Sequence, residues 1–356
     1  MTLIDLPASP PGVPLAASWD GTIFSLLDQR RLPHEVVHEV QDSGESVFAA
    51  IREMRVRGAP AIGIAAAFGL ALAMKDDDGL QGAAWHARLA ERAAWLETAR
   101  PTAVNLAWAL RRCCAAATAA APATGAAGRA ALLREAEAIL AEDLAICRGI
   151  AAAGLDLVPD GARVLTHCNA GSLAVSAWGT ATAPIYAAAA AGRRVKVFAD
   201  ETRPVLQGAR LTAFELQTAG VDVTLISDNM AAHMMATGEV DLVIVGTDRV
   251  TANGDVVNKI GTLGVAVLAR HFDIPFWVAC PSSTFDADTA TGADVPIEER
   301  SADEVTDIAG QRVAPDGVKV RNPAFDVTPA ALVTGIITER GRITAPLGDG
   351  LAQLLG

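Results

Sequence analysis

From residue 161 onward, short apolar runs alternate with longer segments of helical length. The runs are ARVLTHC (162–168), RRVKVFAD (193–200), VDVTLIS (221–227), VDLVIVGTD (240–248) and IPFWVAC (274–280). Four of the five are rich in Val, Ile or Leu without polar alternation, the pattern of parallel strands covered on both faces. Their spacing of roughly 20–35 residues fits βαβ units and predicts a Rossmann-like, doubly wound parallel sheet. Upstream, from Ser43 to about Arg148, Ala/Leu-rich segments such as Trp85–Thr98 and Arg129–Ile146 predict helices. Before them, WDGTIFSLLDQRRLPHEVVHEV (19–40) reads as short strands broken at Pro33. The alanine-glycine stretch Ala121–Gly128 predicts a linker. The expectation is an α/β protein with a mainly helical N-terminal domain and small β-sheet over 1–128, and a Rossmann-like catalytic domain over 129–356.

Ala59–Met74 is apolar throughout. It falls short of the ~18 residues of a spanning helix, and its alanines and glycines suit close packing, so a buried helix is predicted. MTLIDLPASPPGVPLAAS has no basic n-region ahead of an apolar core, so neither a signal peptide nor a membrane anchor is expected. Hydrophobic residues make up 51% of the 356, enough for a substantial core. The net charge of −12 argues against non-specific nucleic-acid binding, while leaving room for a local basic phosphate pocket. Five irregularly spaced cysteines form neither a C-x-x-C pair nor a zinc pattern, which points to reduced thiols in a cytoplasmic protein and to no metal.

Ligands of doubly wound sheets bind beyond the carboxyl ends of the strands. Cys168, Asp200/Glu201, Ser227/Asp228, Asp248 and Cys280 all fall at such ends. Cys168 stands where an apolar run gives way to Asn169-Ala170-Gly171 and a helix-like segment. A helix start there would lower its thiol pKa, whereas core packing of a small hydrophobe is the plainer alternative. Asp248 ends the strongest apolar run, where burial raises a carboxyl pKa, or where it caps a loop. Arg57-Gly58-Ala59-Pro60 opens the buried helix as either an anion seat or a plain capping turn. Arg100 precedes a second helix start. Gln207 follows a charged loop at a strand end, and Asn258 and Lys259 precede Gly261. His167 neighbours Cys168, but adjacent strand residues point to opposite faces, so a packed, hydrogen-bonded histidine is predicted. No G-x-G-x-x-G follows a strand and no Walker loop occurs, which weakens a dehydrogenase reading.

Taken together, RGAPAIG, RPTAVNL, THCNAGSLA, ETRP, LQGARL, GTDRV, NGDVVNKIGT and PSSTFD resemble the methylthioribose-1-phosphate isomerase family. That group is related to ribose-1,5-bisphosphate isomerase and to the regulatory subunits of the eukaryotic translation-initiation guanine-nucleotide exchange factor. The resemblance runs from about Trp19 to Arg340 in one motif order. Thr247 and Ser172 stand where alanine is commoner. It implies catalytic roles for Cys168 and Asp248, substrate contacts at Arg57, Gly58, Ala59, Arg100, Gln207, Asn258 and Lys259, no cofactor, and a homodimer. The implied reaction converts 5-methylthioribose 1-phosphate to 5-methylthioribulose 1-phosphate in methionine salvage.

In this substrate phosphate blocks the anomeric carbon, so the ring C–O bond must break with the phosphate attached. An acid protonates the ring oxygen and a second group manages hydrogen transfer from C2 to C1; the expectation gives Asp248 the first task and Cys168 the second. An aspartate of ordinary pKa is neutral only about 0.1% of the time at pH 7, a cost of roughly 4 kcal/mol that an apolar pocket would offset. Rival readings are the bisphosphate isomerase, a non-catalytic exchange-factor subunit, and an NAD-dependent oxidoreductase.

Overall fold

The structure, a computed structural model, describes residues 6–101, 103–121, 123–348 and 350–351. Its backbone divides into two compact units. The N-terminal unit comprises Gly12–Ala145 together with Ser172–Gly179. It holds a small antiparallel sheet of β1 (Ala17–Trp19), β2 (Phe24–Leu27) and β3 (His38–Gln41), in that order. Helices α1 (Gly44–Arg52), α2 (Ala59–Ala73), α3 (Gly82–Glu97) and α4 (Val104–Ala119) follow. Ser43 caps α1 through a reciprocal bond with Ser46. The apolar α2 is the core of this unit: Phe68 stacks on Phe24 at 4.5 Å and 15°, and Ile64 to Phe68 are wholly buried. Ala59–Asp77 is long and apolar enough to cross a membrane, yet most of it is buried inside the protein, as its small residues predict.

The C-terminal unit comprises Met1–Pro11, Ile146–Gly171 and Thr180–Gly356. In chain order it contains β4 (Ala162–Thr166), α6 (Ala183–Ala190), β5 (Val195–Asp200), α7 (Ala213–Thr218), β6 (Asp222–Ile226), α8 (Ala231–Ala236) and β7 (Leu242–Val245). Next come β8 (Arg249–Thr251), β9 (Val256–Lys259), α9 (Thr262–His271), β10 (Phe276–Ala279) and β11 (Phe285–Asp286). The short α10 (Asp303–Thr306) and a hairpin of β12 (Asp307–Ile308) and β13 (Gln311–Arg312) precede β14 (Phe325–Thr328), β15 (Gly335–Thr338) and β16 (Gly341–Thr344).

The main sheet runs β16-β15-β10-β7-β4-β5-β6, parallel throughout except for the edge strand β16. The first three strands of this unit step outward to one side, and β7 then returns to pair with the other side of β4. The topological switch therefore lies between β4 and β7, where a doubly wound sheet opens a crevice at its carboxyl edge. A second, mixed sheet, β11-β8-β9-β14, grows from the chain that leaves β7. Its strands of two to four residues are too short for their pattern to have announced it.

Two local expectations change. The stretch after Cys168 is not a helix start: Ser172–Ala174 makes one 3₁₀ turn, and α6 begins only at Ala183. Trp178 and Gly179 both sit at positive φ there, which breaks any continuous helix. The expected linker is partly helical as well. Helix α5 (Gly125–Gly154) passes through the boundary expected at 128/129, because its alanines are the strongest helix formers. The compact units part at Ala145/Ile146 instead.

Candidate active site

In the C-terminal unit, Cys168 lies two residues beyond β4 and Asp248 three residues beyond β7. The two strands are hydrogen-bonded neighbours, with Leu165 opposite Val243. Parallel neighbours stand ≈ 4.7–4.9 Å apart, so both loops leave the same edge of the sheet at the switch point. The loops also approach each other: a Cβ added at Gly246 would stand 2.4 Å from Cβ of Ala170.

Cys168 is half-buried and left-handed, with φ 63°. Such a backbone is unusual for a residue with a side chain and needs outside support. Its N–H donates to Thr202 Oγ1 at 2.8 Å, and its carbonyl accepts from Thr212 Oγ1 at 2.6 Å. Thr202 in turn donates to the Asp200 carbonyl at 3.0 Å, closing a bracket between the ends of β4 and β5. Asp228 accepts the amides of Thr202 and Arg203, both at 2.7 Å, and so orders the charged loop after β5.

Asp248 differs. Its N–H is tied to the Val257 carbonyl at 3.0 Å, but the residue is exposed. The burial expected of it from LVIVG is missing, because burial along the chain ends at Gly246 and Thr247 is already half-buried.

His167 is buried and doubly bonded, through Nδ1 to Asp200 Oδ2 and through Nε2 to the Ile260 carbonyl, each at 2.9 Å. Burial alone would strip its proton, but the Asp200 carboxylate and the Ile260 carbonyl outweigh it and the pKa rises. Asp200 is also raised, chiefly by burial, with His167 pulling against it. His167, Asp200 and Asp228 lie within metal-binding reach of one another. Their donor atoms are nonetheless largely spent on the bonds just described, so a cation there would have to break them.

Gln207, Lys259, Arg300, Glu304 and Asn322 line one small cleft of this unit. Lys259 Nζ bonds the Ala324 carbonyl at 3.0 Å and lies 4.4 Å above the Phe325 ring. Gln207 Oε1 is buried there without a hydrogen-bond partner. Arg300 pairs with Glu304, to which Asn322 also donates at 3.0 Å. Arg300, Glu304 and Asn322 escaped the sequence reading, since an Arg-x-x-x-Glu pair in a polar stretch looks like any solvated helix face. Asn258 is buried on β9 and donates to Thr262 Oγ1 at 3.0 Å. A second hollow opens at the amino ends of β4 and β7, lined by Gly161, Asp241 and Pro275, on the face where no candidate residue lies.

Arg57, Gly58, Ala59 and Arg100 belong to the N-terminal unit. Gly58 caps α2 at φ 90° with Pro60 in the first turn, which leaves early N–H groups of the helix unspent by any side-chain cap. Arg100 lies just ahead of α4. The starts of the two helices are side by side: a Cβ at Gly63 would be 3.1 Å from the Asn105 carbonyl oxygen. The predicted residues thus stand at the sheet edge beyond β4 and β7, in the cleft of Gln207 and Lys259 with Asn258 beside Lys259 on β9, and, in the N-terminal unit, at the starts of α2 and α4.

Residues 55–345 match the model of the Initiation factor 2 subunit family. The chain is 56% identical over 336 residues to a methylthioribose-1-phosphate isomerase of Chloroflexus aurantiacus, covering 94% of this chain and 97% of that protein. It is 54% identical over 338 residues to a 5-deoxyribose 1-phosphate isomerase of Moorella thermoacetica, covering 95% and 96%. The crystal structure of 5-methylthioribose 1-phosphate isomerase from Pyrococcus horikoshii superposes with a TM-score of 0.94 at 42% identity, over 99% of each chain.

Proposed function

The chain belongs to the Initiation factor 2 subunit family, and from that premise we propose that it is an isomerase converting 5-methylthioribose 1-phosphate to 5-methylthioribulose 1-phosphate in methionine salvage. Relatives named for this activity are 54–56% identical to it over nearly the whole chain. The observation that carries the reading to individual residues is the position of Cys168 and Asp248 at the switch point, beyond the carboxyl ends of adjacent strands.

In the proposed reaction Asp248, as the acid, gives its proton to the ring oxygen while the C1–O bond breaks with phosphate still on C1. Cys168, as thiolate, then takes the proton from C2, the thiol returns a proton to C1, and the C2 hydroxyl gives its proton back to the Asp248 carboxylate as C2 becomes the ketone carbonyl. The pair leaves aldose as ketose with no net change in protons. Because Asp248 is exposed in the free chain, its neutral form must come from the sugar itself, which displaces water as it settles over the carboxyl. Arg57, Gly58, Ala59 and Arg100 are the proposed phosphate seat, where paired helix starts offer N–H groups beside two guanidinium charges. Gln207, Asn258 and Lys259 are the proposed contacts to sugar and phosphate. We place the protein in the cytoplasm as a homodimer; none of its five cysteines forms a disulfide, which suits a reducing compartment.

A 5-deoxyribose 1-phosphate isomerase stands at nearly the same identity, so the 5-substituent is the open choice within this reading. Purified protein supplied with methylthioribose 1-phosphate in deuterated water should form the ketose, with 5-deoxyribose 1-phosphate and ribose 1,5-bisphosphate run alongside. Absence of any ketose from the methylthio sugar would overturn the proposal, and turnover of the bisphosphate alone would reassign the substrate.

A further inference from the structure

We propose that His167 is held as an imidazolium and is a positioning residue: it pins the loop of Cys168 to the loop of Lys259, and its fixed charge favours the thiolate beside it. The proposal rests on the reading of Cys168 as the reacting thiol.

The hydrogen-bond pattern carries the argument. His167 is 1% exposed and Asp200 wholly buried, so neither can turn to water for a partner. A backbone carbonyl only accepts, so the nitrogen facing the Ile260 oxygen at 2.9 Å bears a proton. We take Asp200 as the ionised partner of the pair; such a carboxylate only accepts, so the nitrogen facing it then bears the second proton. Three carboxylates surround the ring from different elements: Asp200 at the end of β5, Asp228 after β6 and Asp326 on β14. Lys259 acts on Asp326 from the same assembly.

The same bonds make the ring a mechanical link. Its Asp200 partner is the strand end that supports Cys168 through Thr202. Its Ile260 partner directly follows Lys259 and precedes Gly261, the first cap of α9. Gly261 has φ 104°, and a Cβ there would lie 2.7 Å from His167 Cε1, so only glycine lets the ring reach across. Asp326 closes the assembly by accepting the amides of Gly261 at 2.8 Å and Leu263 at 3.1 Å. One buried ring thereby fixes the register between the proposed base and the proposed anion contact.

The test needs no substrate. In the full-length protein labelled with ¹⁵N-histidine, the His167 ring, one of six histidines, should still show two protonated nitrogens at pH 8, well above the ordinary histidine pKa of about 6.5. A His167→Gln variant should remove that signal and move the pH midpoint of Cys168 alkylation, read by mass spectrometry on its peptide, up by about one unit. If that variant does not fold, Asp200→Asn should leave one ring nitrogen bare and shift the midpoint the same way. A spectrum with no imidazolium at pH 8 means Asp200 holds the proton instead, and overturns the proposal; so does an unmoved midpoint in a folded variant. Since none of these readouts involves turnover, their failure leaves the isomerase reading standing, and a lack of turnover with the imidazolium in place sinks that reading alone.

Discussion

The loops after β4 and β7 leave neighbouring strands at one sheet edge, yet the chain treats them in opposite ways. The β4 loop is braced from three sides, by Thr202, by Thr212 and by the buried His167–Asp200 pair. The β7 loop is tied through the Asp248 amide, and Asp248 is an exposed residue. The contrast suits two different chemical tasks. A thiolate base must be poised before the sugar arrives, and rigid brackets supply that. An acid that works only when neutral gains from meeting water until the substrate covers it, because the same event then binds the sugar and raises the pKa.

That contrast can be broken in four places. Cys168→Ser and Asp248→Asn should each lower kcat by about 10³-fold or more while circular dichroism stays native; a near-normal rate in either would remove that residue from the reaction. Gly246→Ala forces a methyl group against Ala170 and should push the two loops apart. We expect ~1–3 kcal/mol lost in urea unfolding together with reduced kcat, and an unchanged midpoint would mean that the loops move independently. Thr202→Val removes the acceptor for the Cys168 amide at a wholly buried side chain. It should cost about 1–3 kcal/mol, against less than about 0.5 kcal/mol for Asp248→Asn at its exposed position; equal losses would erase the distinction between braced and open loops. The smallest effect is on labelling. Burial pushes the Cys113 and Cys280 thiols up to about 12. At pH 8 their thiolate fraction is about 10⁻⁴, so iodoacetamide should modify Cys168 and spare those two, both becoming reactive only as pH climbs toward 12.

The doubly wound sheet was legible because LVIV and FWVA are unbroken apolar runs and VKVFA is interrupted only by Lys196, and a parallel strand buried on both faces allows little else. The strand-end rule marked five places, Cys168 and Asp248 among them, and it was the family resemblance that singled out those two. What failed were statements about surroundings. Nothing in THCNAGSLA reveals that Trp178 and Gly179 adopt positive φ, so a loop rich in small residues reads like a helix. Likewise the apolar run before Asp248 reports on the strand and is silent on the side chain beyond its end. Arg300 and Asn322 reach the Lys259 cleft from more than 40 positions downstream, through a β14 pairing that no local pattern encodes. His167 was legible only as a packed histidine, since its partners, Asp200 and Ile260, are distant in the chain.

The eight residues Ser172–Gly179 belong to the N-terminal unit although the chain on either side of them is built into the other. A single crossover in the gene therefore cannot transplant either unit whole: a cut at 145/146 orphans this short excursion, whose Ser176 amide is received by the Asp143 carboxylate. Lineages that repurpose this architecture are thereby steered toward changing side chains within an inherited whole, and away from shuffling its halves.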